Sequence, residues 1–113
     1  EICSRTAVPL LDMTGQTSLP QMVSLFRRAR AVLSNDSGPV HVAAGTGTPV
    51  ISIFLRAQPG INPERWKPLG AKSCVVVPPR GQEIVVDRNS HVISGAFDSI
   101  SPEQVLKAIQ AVI

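Results

Sequence analysis

The chain has 113 residues, 43% of them hydrophobic, and a formal net charge of +3 from 11 basic against 8 acidic side chains. That suits one globular domain with a modest core. It excludes a membrane-spanning helix, since no apolar run approaches the ~20 residues one needs. With three Phe, one Trp and no Tyr it also offers no base-stacking platform for nucleic acid.

The opening Glu1-Ile2-Cys3-Ser4-Arg5 has neither an initiator Met nor a basic-then-apolar leader, which points to a piece of a longer polypeptide. Residues 7–13 read as a short strand or extended segment, with Pro9 unsuited to a central strand. After a loop over 14–17, Ser18-Leu19-Pro20-Gln21 has the form of a capping box. It predicts a helix to about Arg30, with apolar faces from Leu19, Met22, Val23, Leu25 and Phe26. Arg27, Arg28 and Arg30 are the densest basic cluster and read as a solvated helix face. Residues 31–34 form the next strand, whose unalternating apolar run predicts burial on both faces.

A short helix is predicted over 38–44. Gly45-Thr46-Gly47-Thr48-Pro49 ends it, because Gly supplies a left-handed cap and Pro cannot continue the helix. Residues 50–54 are a third strand, and 55–73 a long loop holding Glu64-Arg65-Trp66-Lys67-Pro68. Residues 74–77 are a fourth strand and 84–87 a brief edge strand. Ser101-Pro102-Glu103-Gln104 is a second capping box, with Pro at the first helical position. The closing helix carries Val105, Ala108, Ile109 and Val112 on one stripe. Cys3 and Cys74 lack metal-ligand or redox spacing and read as free thiols in a reducing compartment.

Strands alternating with helices predict an α/β fold: a parallel sheet with right-handed crossovers. Ligands of such sheets sit beyond the carboxyl ends of the strands. The tip Asn35-Asp36-Ser37 falls there, as does the loop after Phe54. A helix begins directly after the tip, and a helix N-terminus offers unpaired N–H groups and a partial positive charge to an anion. Asp36, Ser37 and His41 would surround that anion with a carboxylate, a hydroxyl and an imidazole. Two readings stand. One is a phosphate and sugar site. In the other, Ser37 caps the helix, Asp36 ends the strand and His41 is a packed helix residue.

The ordered set Met13-Thr14-Gly15-Gln16-Thr17-Ser18-Leu19, Asn35-Asp36-Ser37-Gly38-Pro39-Val40-His41-Val42-Ala43-Ala44 and Gly47-Thr48-Pro49-Val50 resembles glycosyltransferase family 9, the ADP-heptose:lipopolysaccharide heptosyltransferases. Pro63-Glu64-Arg65-Trp66 and Pro68-Leu69-Gly70 extend the likeness. The resemblance implies a Rossmann-like half of a GT-B fold, in which residues 1–113 are most of the C-terminal, donor-binding domain of a two-domain enzyme. It implies that Ser37, Gly38 and Pro39 hold the donor diphosphate, that Asp36 contacts the sugar, and that His41 lies beside the phosphates as a leaving-group stabiliser. Thr17 and Ser18 would border the adenine.

The catalytic base would lie in the N-terminal domain, outside this chain. No metal or other cofactor is expected. The implied partners are a nucleotide-sugar donor, ADP-heptose, and a lipopolysaccharide core acceptor bound mainly by the other half. The implied location is the cytoplasm, with association at the inner membrane left open. Two departures stand out: Leu55-Arg56-Ala57 replaces the family's usual Gly-Pro-Thr, and Pro79-Arg80-Gly81-Gln82 replaces a Cys-rich segment. A non-catalytic nucleotide-binding module and another GT-B enzyme, such as a nucleotide-sugar epimerase, are the rival functions. Trp66 reads as loop packing, and Arg65 as a loop anchor or a phosphate contact.

Overall fold

Each helix starts where a local signal places it. A computed structural model describes residues 5–56, 60, 62–80 and 97–113. Helix α1 (Leu19–Arg28) follows Ser18, whose backbone N–H and hydroxyl both donate to the Gln21 side-chain oxygen, at 2.8 and 3.0 Å. It stops at Arg28, short of the predicted Arg30, where the Ala29 N–H closes onto the Leu25 and Phe26 carbonyls. Helix α2 (Gly38–Gly45) ends in a turn through Gly47, whose φ of 77° suits glycine. Helix α4 (Pro102–Val112) begins with a full capping box: Ser101 N–H donates to the Gln104 side chain at 2.7 Å, and Gln104 N–H donates to the Ser101 hydroxyl at 3.3 Å.

Strands β1 (Val32–Asn35), β2 (Val50–Ile53) and β3 (Ser73–Val76) form a parallel sheet in the order β1-β2-β3. Val32 lies opposite Val50, and Val50 opposite Ser73. Strand alternation then divides the core in two. On one face Val32 and Val50 meet Val40 and Ala43 of α2, with Phe26 of α1 packed against them. On the other, Ile51 and Val76 meet Ala108 of α4, flanked by Ile109 and Val112. The result is a Rossmann-like α/β layer arrangement, as the sequence predicts.

Four expectations are corrected. Burial on both faces belongs to β2, whose Val50, Ile51 and Ser52 are fully enclosed, and not to β1, whose Leu33 is 47% exposed. The cause is position: among the described residues β1 is at the sheet's edge and β2 at its centre. Of the two readings of residues 7–13, the short strand fails and the extended segment stands, for they take no place in the described sheet, and Val8, Leu10 and Leu11 are exposed. The loop over 55–73 contains a one-turn helix, α3 (Pro63–Trp66), capped by the Asn62 side chain accepting from Arg65 N–H at 3.1 Å. The fourth predicted strand starts at Ser73, one residue early. Cys74 is a half-buried free thiol. Cys3, Gly81, Gln82 and the strand predicted over 84–87 lie outside the described residues.

Candidate functional site

Backbone geometry fixes the rim first. The Asp36 N–H donates to the Ile53 carbonyl at 3.0 Å and so extends the β1–β2 ladder one residue past the strand. Ser37 is extended, with φ −163° and ψ 168°, and Gly38 then opens α2. The start of α2 therefore stands at the carboxyl ends of β1 and β2, where ligands of open parallel sheets bind.

The Ser37 hydroxyl does not cap this helix. It turns back, donating to the Asn35 carbonyl at 3.1 Å and lying 3.3 Å from the Ser34 hydroxyl. Ser37 is thus the N-cap residue of α2 by position, as the capping reading has it, but its side chain leaves the first-turn N–H groups of α2 facing the rim. Gly38 and His41 are exposed and Pro39 is half-buried in the first turn. A Cβ built on Gly38 would meet nothing within 4 Å, so the approach to the helix end is open.

Charge gathers at the same place. Desolvation pushes the Asp36 carboxyl above the usual carboxylate range, while the nearby His41 and Arg56 charges pull it back. Asp36, His41 and Arg56 are thus electrostatic neighbours around one helix end. Arg56 was not singled out in the sequence, where it figured only in a departure from the family's Gly-Pro-Thr. The parallel register supplies the signal: Asn35 pairs with Ile53, so the chain just beyond Ile53 shares a rim with Asp36.

Thr17 and Ser18 are not joined to this cluster by any hydrogen bond among the described residues. Thr17 lines a separate groove of about 380 Å³ with Met13, Gln16, Leu25 and Arg28. Ser18 is engaged at the start of α1. Just before this segment the Asp12 carboxylate accepts from the Thr14 hydroxyl and from the Thr14 N–H, the latter at 2.9 Å, which together lower its affinity for a proton, and Gly15 turns the chain with φ 68°. In the loop after β2, the Trp66 indole donates to the Gly60 carbonyl at 2.7 Å, and the Arg65 guanidinium lies 5.7 Å from the indole centroid. The indole bond ties Trp66 back across the loop, while the Arg65 guanidinium meets only its chain neighbour among the described residues. Among the described residues no group of three or more His, Cys, Asp or Glu side chains is placed to hold a metal, and no helix is long and apolar enough to cross a membrane.

A parallel sheet helix-covered on both faces, with a helix N-terminus at its carboxyl rim, defines a Rossmann-like α/β domain. The chain belongs to glycosyltransferase family 9 (heptosyltransferase), which it matches over residues 2–99. It is 30% identical over 105 residues to lipopolysaccharide heptosyltransferase 2 of Escherichia coli strain K12, covering 90% of this chain and 28% of that protein. It is 28% identical over 106 residues to lipooligosaccharide heptosyltransferase 2 of Haemophilus influenzae, covering 91% of this chain and 29% of the relative. Lipopolysaccharide core heptosyltransferase OpsX of the same organism is 42% identical over 48 residues, covering 42% of this chain and 14% of that protein. The chain thus spans under a third of the length of these relatives. No solved structure matches it.

Proposed function

We propose that this chain is the C-terminal, donor-binding domain of a two-domain GT-B glycosyltransferase that transfers heptose from ADP-heptose to lipopolysaccharide core. Family membership and the relatives' names support the reaction class. The observation that carries the reading is the start of α2, whose first-turn N–H groups receive no bond from the Ser37 side chain and which is flanked by Asp36, His41 and Arg56.

In this reading the donor diphosphate lies against the first turn of α2, held by backbone N–H groups and the helix dipole. An acceptor hydroxyl, deprotonated by a base outside this chain, attacks the anomeric carbon. The bond from that carbon to the phosphate oxygen breaks, and ADP leaves with the electron pair. Negative charge grows on the leaving diphosphate, and His41 donates a hydrogen bond to it where the charge develops. A carboxylate facing a diphosphate would be repelled, so Asp36 faces the sugar and accepts from its hydroxyls. Arg56 adds a second cation at the same rim.

The test is product analysis with the parent polypeptide, ADP-heptose and a lipopolysaccharide core acceptor. A core enlarged by one heptose, formed together with ADP, is the expected result. An isomerised nucleotide sugar would assign an epimerase instead. ADP binding without any turnover would assign a non-catalytic module.

A further inference from the structure

Ser52 is a polar residue in an apolar place. It is fully enclosed in β2, between Val50 and Phe54 along the same side of the chain. Its hydroxyl has no hydrogen-bond partner among the described residues. A buried hydroxyl left unpaired is costly, and each such group in a native fold calls for an explanation. The Ser73 hydroxyl is buried and unpartnered as well, but Ser73 opens β3, at the end of the sheet away from the rim.

Strand register places a second hydroxyl beside Ser52. Its partner on β1 is Ser34, two positions nearer the rim than the Val32–Val50 pair. Strand alternation puts both serines on the face of Val32 and Val50, the one α2 covers with Val40 and Ala43. Neighbouring strands lie about 4.8 Å apart, so a change of one side-chain rotamer brings two such hydroxyls into bonding range. The Ser34 oxygen already lies 3.3 Å from the Ser37 oxygen, which is long for a bond between hydroxyls.

The protons of this row are ordered. A hydroxyl has one proton to donate and two lone pairs. Ser37 donates its proton to the Asn35 carbonyl at 3.1 Å. In the contact between Ser34 and Ser37, Ser34 is therefore the donor. The proton of Ser52 is still unused, and the Ser34 oxygen has a lone pair to receive it. The row runs in one sense, from Ser52 through Ser34 to Ser37, and ends at the first turn of α2.

We infer that Ser52, Ser34 and Ser37 form a row of hydroxyls that closes when an anion occupies the start of α2. Ser37 turns its O–H from the Asn35 carbonyl to an anion oxygen. Ser34 tightens onto Ser37, and Ser52 donates to Ser34. No covalent bond changes, and each proton stays on its own oxygen. Each hydroxyl becomes a stronger donor by accepting from the one behind it. Ser52 is enclosed and never touches the ligand; it is a positioning residue that acts through Ser37. The inference rests on the proposed reading that a diphosphate lies at this helix start.

Titration calorimetry of the parent polypeptide with ADP, and separately with inorganic pyrophosphate, tests it. Ser52→Ala should weaken binding of both by about 3- to 10-fold, the scale of one net hydrogen bond. Ser34→Ala, which removes the middle hydroxyl, should weaken it as much. Adding Ser52→Ala to Ser37→Ala should cost nothing further, because the row then has no end to position. Unchanged affinity in Ser52→Ala would overturn the inference. An equal loss with and without Ser37 would overturn it too, since Ser52 would then act through packing alone. In the ligand-free protein the melting temperature of Ser52→Ala should match or exceed that of the parent; a lower one would show the hydroxyl bonded before any anion arrives and would sink the closing step. Loss of the row with intact ADP binding leaves the transferase reading standing. Ser52-dependent binding of pyrophosphate without binding of ADP would refute the nucleotide and keep the row, and binding of neither would refute both.

Discussion

His41 separates a reacting rim from a merely folded one. The side chain is exposed one turn into α2 and is an electrostatic neighbour of Asp36. Truncating it to Ala opens no cavity, because the enclosed residues of α2 are Val40 and Ala43. A surface change of this kind costs at most about 0.5 kcal/mol. For a domain this size that moves the melting temperature by less than about 4 °C. Its catalytic cost is of another order. Losing one preorganised donor at a site of developing charge slows turnover about 10²- to 10³-fold, or roughly 3–4 kcal/mol. His41→Gln should recover part of the rate, since an amide can still donate a hydrogen bond. Thermal unfolding of the 113-residue chain and transfer kinetics of the parent polypeptide provide the two readings. A large fall in melting temperature with near-normal turnover per folded molecule would refute the role of His41.

Three further outcomes follow from the same rim and its support. Asp36→Ala in the parent should lower kcat about tenfold or more while ADP affinity changes less; equal losses in ADP titration and turnover would assign Asp36 to the nucleotide or to folding. Because the Asp36 carboxyl is held above its ordinary range in the folded chain, the unfolded chain ionises first, so this residue's contribution to stability declines as pH rises through and above the usual carboxylate range. Asp36→Asn should therefore match the parent sequence near pH 3 and gain about 1–2 °C on it at pH 7 in thermal melts; a gain confined to low pH would contradict the desolvation account. Thr48 is 6% exposed, and its hydroxyl donates to the Phe26 carbonyl at 2.7 Å, tying α1 to the turn before β2. Thr48→Val keeps the shape but loses that bond, and denaturant unfolding should show a loss of about 1 kcal/mol; undiminished stability would show that the tie contributes nothing.

Features set by neighbours in the chain were legible in the sequence. Ser18 with Gln21 and Ser101 with Gln104 start helices where their spacing says they should. The rim was legible for the same reason, since Asp36 and Ser37 sit between a strand and a helix that each announce themselves locally. Asn62-Pro63-Glu64 carried a comparable signal for α3, a cap followed by Pro at the first helical position, but the Pro- and Gly-bearing run around it reads as loop. What the sequence hid depends on partners in space. Leu33 belongs to an apolar run, yet whether that run is covered depends on what lies beside β1. Arg56 joins Asp36 only through the register of two strands. Thr17 and Ser18 adjoin in sequence yet diverge in structure, one lining a groove and the other holding a helix start.

Trp66 gives the protein a built-in optical reporter. The chain has one Trp and no Tyr, so near-ultraviolet emission arises from a single indole. That indole is 45% exposed, anchored by its N–H to the Gly60 carbonyl and approached by the Arg65 cation. Its wavelength and its quenching therefore report on one loop, the one that follows β2 beyond Arg56. Rearrangement of that loop can be followed by fluorescence in the unlabelled 113-residue chain, with no second chromophore to subtract.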